Sequence, residues 1–133
     1  KDQVCVVEEA LRRIKQAERR GKQDRYDEAW CVLDVEGSSK AAALSAARQL
    51  ADEEGVKLCL SNPCFEVWLL QHFARSSRTL RDGDEATAAL DQHWRRSFGV
   101  PYDKADERVY ERLQPLQGTA LHNARWLRER CDA

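Results

Sequence analysis

The sequence has almost no net charge, no long apolar run and no C-x-x-C pair, and each absence argues against a class of protein. It holds 22 basic and 23 acidic residues, so no global electrostatic field draws it onto nucleic acid. The sequence has no run of about 18 apolar residues and no signal-peptide pattern, which argues against a membrane span and against secretion. Its five cysteines are odd in number, and Cys31 and Cys59 lie in apolar strand candidates, so we infer a reducing compartment such as the cytoplasm and no zinc site.

Methionine is also absent, and the sequence begins with Lys1. Because translation starts with methionine, we expect the chain to be part of a longer protein. Its 133 residues have the length of one domain. With 42% hydrophobic and 34% charged residues, its composition is typical of a globular protein that is rich in helix.

The apolar stretch from Trp30 to Leu33 ends at two acidic residues. It is β-rich and lacks polar alternation, which predicts a strand buried on both faces. Asp34 falls at the C-terminal end of this strand and Glu36 follows two residues later, so both carboxylates point the same way in an extended chain. Such a pair suits a hard cation such as Mg²⁺. The alternative is that both residues begin a solvated turn before the next helix.

A strand–helix–strand unit is predicted around this stretch. Ser38 or Ser39 is a good N-cap for a helix that stops at Gly55, and the apolar residues 56–60 form a second strand. Two strands joined in this way are parallel. Because two strands do not make a stable sheet alone, we expect a third, either from Lys1 to Val7 or from a preceding part of the protein.

The remaining helices are predicted from periodicity and caps. Asp2 to about Arg20 has apolar residues at helical spacing, which predicts a first helix. Asp82 and Glu85 form a capping box for a helix that Gly99 ends. Two shorter helices are predicted beyond it, one capped by Asp103 and ending near Pro115, the other opening at Gly118-Thr119.

The second strand runs directly into Asn62-Pro63-Cys64-Phe65-Glu66. Asn62 is a strong N-cap and Pro63 suits the first helical position, so a helix is predicted to begin there. Glu66 then lies in the first turn, where a carboxylate either contributes to a site or simply interacts with the helix dipole. His72 is predicted to be a partly exposed helical residue.

Arginine and tryptophan contact nucleic acid in many proteins, and both occur in the C-terminal half. Arg75 and Arg78 lie in a basic loop, where they either position phosphate or are merely solvated. Trp94 and Trp126 are interpreted as core residues, because a base-stacking platform needs an adjoining basic groove.

The segment from Ser61 to Leu70 with His72-Phe73, preceded by a strand that ends in Asp34-Val35-Glu36, resembles the RloB-like family. That family is associated with bacterial restriction-modification and abortive-infection loci and is similar to the Toprim fold. The resemblance implies a Rossmannoid α/β fold whose parallel sheet is flanked by helices, over residues 1–74, with a mostly helical part over residues 75–133.

Toprim domains pair a glutamate at the end of their first strand with a later Asp-x-Asp at another strand end. Asp34 matches the first aspartate of that pair, and Glu36 stands in the place of the second. Glu8 and Glu9 lie in a helical pattern, so they do not supply the early glutamate. We therefore expect the first strand and its glutamate in a preceding part of the protein.

The resemblance implies a nuclease of anti-phage defence that depends on Mg²⁺ or Mn²⁺ and acts on DNA or RNA. Two alternatives stay open: a non-catalytic subunit that partners an ATPase, and a degenerate Toprim domain. The chain has no G-x-x-x-x-G-K-[ST] loop, so it is not itself that ATPase. The implied nuclease site has three catalytic carboxylates, Asp34, Glu36 and Glu66. Asp34 and Glu36 also bind the metal. Arg75 and Arg78 bind phosphate.

Overall fold

The chain divides into an N-terminal unit, Lys1–Asn62, and a C-terminal unit, Pro63–Ala133, in a computed structural model. The structure describes residues 2–35 and 41–132. Within these ranges the fold is α/β, with six α-helices and one parallel sheet of two strands. None of the helices in the described ranges is long and apolar enough to cross a membrane.

The N-terminal unit begins with a helix. The Asp2 side chain accepts a hydrogen bond from the Cys5 N–H at 2.9 Å and caps the helix, which ends at Gly21 with a φ of 131°. Because residues 3–7 are helical, the option that Lys1 to Val7 supplies a strand is wrong for these residues. The elements of this unit are α1 (Gln3–Arg20), a 3₁₀ turn (Lys22–Asp24), β1 (Trp30–Asp34), α2 (Ala41–Glu54) and β2 (Lys57–Ser61).

The predicted strand–helix–strand unit is confirmed. Strands β1 and β2 are parallel, with Trp30 opposite Lys57 at one end and Asp34 opposite Ser61 at the other. Gly55 has a φ of 74° and ends α2, because glycine adopts this left-handed conformation without strain. The predicted serine caps of α2 lie outside the described residues.

Strand β1 is buried on one face, so the prediction of burial on both faces is wrong. Cys31 and Leu33 are 4% and 3% exposed, whereas Trp30 and Val32 are 57% and 54% exposed. The buried residues pack against α1 and α2, and no described element of this unit covers the opposite face. A short apolar run has the same sequence pattern whether one face or both faces of the strand are buried, because burial depends on how many layers the fold has.

The C-terminal unit is helical. Its first helix starts later than predicted: the Val67 N–H bonds to the Cys64 carbonyl at 3.1 Å, so the first turn closes only from Cys64, and Asn62 is not its N-cap. The elements are α3 (Glu66–Leu70), α4 (Gly83–Phe98), α5 (Val109–Leu113), a 3₁₀ turn (Gln114–Leu116) and α6 (Gln117–Asp132).

Helix α4 starts and ends as predicted. Asp82 accepts a hydrogen bond from the Glu85 N–H at 2.8 Å, and Gly99 closes the helix with a φ of 72°. Glu85 does not complete the box at Asp82. It accepts instead from the Arg81 N–H at 2.7 Å, which ties the preceding loop to the helix.

Helix α5 ends at Leu113, which confirms the predicted end near Pro115, and the chain continues in helical turns through Pro115 itself. Pro115 lies in the 3₁₀ turn that joins α5 directly to α6, and Pro is tolerated there because the first residues of a helical segment need no N–H donor. Asp103 caps a local turn by accepting from the Ala105 N–H at 2.9 Å, well before α5 begins.

The core of the C-terminal unit is built around Trp94, as predicted. Trp94 is 0% exposed and packs edge-to-face against Phe98 and Tyr102, with ring centroids 4.8 and 5.2 Å away. Leu69, Leu70, Leu90 and Leu113 complete the buried cluster. This cluster holds α3 and α5 against α4.

Candidate functional site

Asp34 is the last residue of β1, at the C-terminal end where the sequence places it. The sheet extends just past it, since the Val35 N–H donates to the Ser61 carbonyl at 2.9 Å. From α1, the Gln3 Nε2 donates to the main-chain oxygen of Asp34 at 3.0 Å. Two independent contacts therefore fix the backbone that carries the candidate metal ligand.

Gln3 was not expected in this position. It is 5% exposed, and its Oε1 is buried without a hydrogen-bond partner among the described residues. Nothing in the sequence marks it, because a glutamine in the first turn of an amphipathic helix is usually solvent-facing. Only the packing of α1 on β1 brings it to the strand end.

The other two predicted carboxylates are placed differently. Glu36 lies outside the described residues. Glu66 opens α3 in the C-terminal unit, where the Tyr102 hydroxyl donates to its Oε1 at 3.5 Å. Burial, with the charge of Glu66 adding to it, raises the pKa of Tyr102 to about 12, so this hydroxyl stays a donor at neutral pH. A shared site for Asp34 and Glu66 stays a prediction.

The described residues form no ready-made metal cluster. Over residues 2–35 and 41–132, no three His, Cys, Asp or Glu side chains are grouped so that they could hold an ion. The predicted ligand pair includes Glu36, which lies between these ranges. The metal site therefore stays a prediction that rests on Asp34 and its strand.

Arg75 is held against α6. Its Nε donates to the Asn123 Oδ1 at 3.4 Å, and its guanidinium lies 5.5 Å from the centroid of the Trp126 ring. Asn123 is 6% exposed and donates from Nδ2 to the Gln71 carbonyl at 2.8 Å. Trp126 is only partly buried, so its interpretation as a core residue is corrected: it lies under arginine side chains at the surface.

Arg78 has a different partner. Its Nη2 lies 3.3 Å from the Glu85 Oε1, and Arg81 bonds to the same carboxylate. The Arg81 main-chain N–H, helped by both arginine side chains, holds the pKa of Glu85 below its ordinary value of 4.5. The two arginines that were predicted to bind phosphate, Arg75 and Arg78, therefore differ, because Arg78 is already paired with a carboxylate.

Comparison with known proteins decides the family. The family model described as RloB-like protein matches residues 1–133, the whole chain. The chain belongs to the RloB-like protein family. No curated protein and no solved structure matches it. The family resemblance predicted from residues 61–73 is therefore confirmed.

His72, part of the segment that resembles the RloB-like family, is buried, so the prediction of partial exposure is wrong. It is 5% exposed, its Nδ1 lies 3.0 Å from the Leu69 carbonyl, and its ring meets Trp68 edge-on at 5.0 Å. Burial lowers the pKa of His72 below the ordinary 6.5. The short helix α3 continues as a turn that packs inward, which helical periodicity alone does not reveal.

We expect the stability of this RloB-like chain to fall as the pH drops below about 6.5, the pKa of an unfolded histidine. The unfolded state then binds a proton that buried His72 in the folded state does not, and this favours unfolding until the pH reaches the lower folded pKa. Urea unfolding at several pH values measures the effect. His72→Gln should reduce the fall in unfolding free energy below about pH 6.5. His122→Gln, at an exposed position, should leave this pH dependence unchanged. An unchanged pH dependence in His72→Gln would contradict the assignment.

Proposed function

We propose that this RloB-like protein is a Mg²⁺-dependent nuclease of the Toprim type that acts in bacterial anti-phage defence. The observation that carries the proposal is the position of Asp34, which ends β1 opposite Ser61 at the end of the parallel strand β2. Ligands of open α/β sheets bind at the C-terminal ends of parallel strands. From this end the chain continues, through Ser61, into the segment that resembles the family.

The donor set at this strand end suits a hard divalent cation. Asp34 and Glu36 would hold the metal, since Mg²⁺ and Mn²⁺ prefer carboxylate oxygens. The hydrogen bond from Gln3 to the main chain of Asp34 supports a fixed ligand position. When bound, the cation would polarise the phosphodiester and stabilise the leaving oxygen.

Other residues of the chain are assigned roles on the strength of the family resemblance. Glu66 is proposed as a further catalytic carboxylate that moves a proton, with Tyr102 orienting it through their hydrogen bond. Arg75 and Arg78 are proposed to contact substrate phosphates. Arg75 is the better placed of the two, because Arg78 would first have to leave Glu85.

Metal titration of the complete protein tests the proposal. We expect Mn²⁺ to bind the wild type and Asp34→Asn to lose at least about ten-fold in affinity, or about 1.4 kcal/mol. Asp52→Asn removes the same charge from an exposed position on α2 and should bind Mn²⁺ as the wild type does. Equal affinity in both variants, or defence activity that survives Asp34→Ala, would refute the metal-dependent nuclease.

A second candidate function is a non-catalytic subunit that binds an ATPase partner. The observation favouring it is the exposed face of β1, where Trp30 and Val32 are 57% and 54% exposed. Large apolar side chains that are adjacent on a surface are typical of protein interfaces. Absence of Mn²⁺ binding, together with loss of an ATPase complex in Val32→Asp, would support this function. A degenerate domain would show neither property.

A further inference from the structure

We propose that Arg75, Trp126 and Arg130 form a surface, here called the Arg–Trp–Arg surface, that binds the backbone and a base of single-stranded nucleic acid. All three residues belong to the C-terminal unit. The inference rests on the proposed nuclease function for its biological meaning, because it names the substrate class. Binding itself requires no metal and no cleavage, so it is tested separately.

The geometry of the surface is set by α6. Arg130 follows Trp126 by four residues and therefore lies on the same side of the helix. Its guanidinium carbon lies 4.9 Å from the centroid of the indole ring, and that of Arg75 lies 5.5 Å from the same centroid. Both distances are short enough for cation–π attraction. One aromatic ring thus gathers two cations that are 55 positions apart in the sequence.

One of the two arginines is further fixed by a polar anchor. The Arg75 Nε donates to the Asn123 Oδ1 at 3.4 Å, while the Asn123 Nδ2 bonds to the Gln71 carbonyl at 2.8 Å. Asn123 is 6% exposed, so the anchor itself is protected from water. Because this contact uses Nε, the two terminal nitrogens of the guanidinium stay available as the fork that recognises a phosphate.

The charges on this surface are not neutralised within the described residues. Arg78 and Arg81 share Glu85, and Arg95 pairs with Asp91. By contrast, neither Arg75 nor Arg130 forms an ion pair with any described side chain. Two like charges beside one ring repel each other, so an anion that contacts both is favoured. A phosphodiester has the required negative charge and oxygen acceptors for guanidinium groups.

A single-stranded nucleic acid fits this surface better than an acidic peptide does. Trp126 is only partly buried, so part of the indole is open to a ligand. Single strands present unstacked bases next to their phosphates, and an aromatic ring flanked by arginines can contact both. An acidic peptide offers only the anions, and a duplex hides its base faces. A base-stacking tryptophan needs adjoining basic side chains, and Arg75 and Arg130 supply them beside Trp126.

Binding of labelled fifteen-nucleotide dT and rU oligonucleotides, followed by fluorescence anisotropy in EDTA, tests the inference. We expect Arg75→Ala and Arg130→Ala each to weaken binding about five- to ten-fold and to lower the salt slope by about 0.7, the value for one phosphate contact on a single strand. Trp126→Ala should weaken it about ten-fold, which is within the range of one lost base stack.

Matched controls separate a local effect from a global one. Arg96→Ala removes the same charge from an exposed position on α4 and should stay within about two-fold of the wild type. Circular dichroism establishes that each variant folds; if Trp126→Ala does not, the two exposed arginine variants decide the question. The inference is overturned if these variants bind like Arg96→Ala, or if duplex DNA or poly-glutamate binds more tightly than the oligonucleotides.

The two proposals fail in different ways. Asp34→Asn should retain oligonucleotide binding in EDTA while it loses Mn²⁺, because the Arg–Trp–Arg surface needs no cation. Normal Mn²⁺ binding with no effect of the arginine variants would overturn the surface alone. Loss of oligonucleotide affinity in the arginine variants, with no Asp34-dependent metal binding, would overturn the nuclease alone.

Discussion

Replacing Trp94 by alanine will lower the free energy of unfolding of the C-terminal unit by about 3–5 kcal/mol, the usual cost of removing a large buried aromatic side chain. Trp94 is 0% exposed, and the rings of Phe73, Phe98 and Tyr102 pack around it. Truncation removes apolar burial, leaves a cavity and breaks all three edge-to-face contacts. Urea unfolding followed by circular dichroism measures the loss.

Two variants test whether the loss of stability arises from the buried position of Trp94. Trp94→Phe should cost clearly less than Trp94→Ala, since it keeps an aromatic ring and removes the indole N–H, which is buried without a hydrogen-bond partner in the described structure. Leu121 is 49% exposed, so Leu121→Ala should stay within about 0.5 kcal/mol of the wild type. Similar losses for Trp94→Ala and Leu121→Ala would disprove the proposed core.

Replacing Leu33 by alanine will destabilise the N-terminal unit by about 2–5 kcal/mol, as large-to-small changes in protein cores do. Leu33 is 3% exposed and packs with Val7 and Ala47 in the core between β1, α1 and α2. The two described strands of this unit make a small sheet, which gives little further buried surface to compensate. The same urea experiment on the complete protein measures this change.

Val32→Ala is the matched control, because Val32 is the preceding residue of the same strand and is 54% exposed. We expect it to cost less than about 1 kcal/mol, since little of its side chain leaves water on folding. If the two substitutions cost the same, both faces of β1 are buried in the complete protein, and the one-sided packing described for this unit is wrong.

Local rules were sufficient for much of the fold. The apolar run at β1, the stop at Gly55 and the second apolar run predicted a parallel strand–helix–strand unit, and the pairing of β1 with β2 confirms it. Asp82 and Gly99 predicted the two ends of α4 correctly. These features depend on residues that are close in the sequence, where turn and cap preferences act directly.

Local rules failed where burial depends on distant neighbours. Val32 and Leu33 are both apolar strand residues, yet one is exposed and the other buried, because helices cover a single face. His72 was expected at the surface and is buried against Trp68. Helix α3 was expected to start at Pro63, but its first turn closes from Cys64 onward.

The same difference between local and distant contacts applies to the candidate site. The sequence by itself determined that Asp34 ends a strand, that Glu66 lies in the first turn of a helix and that the chain belongs to its family, because each depends on a short motif. Only the tertiary structure decided that Gln3 anchors Asp34, that Arg78 is occupied by Glu85, and that Arg75, 48 residues from Asn123, joins Trp126. Such contacts follow from how helices and strands pack, and no periodicity along the chain encodes them.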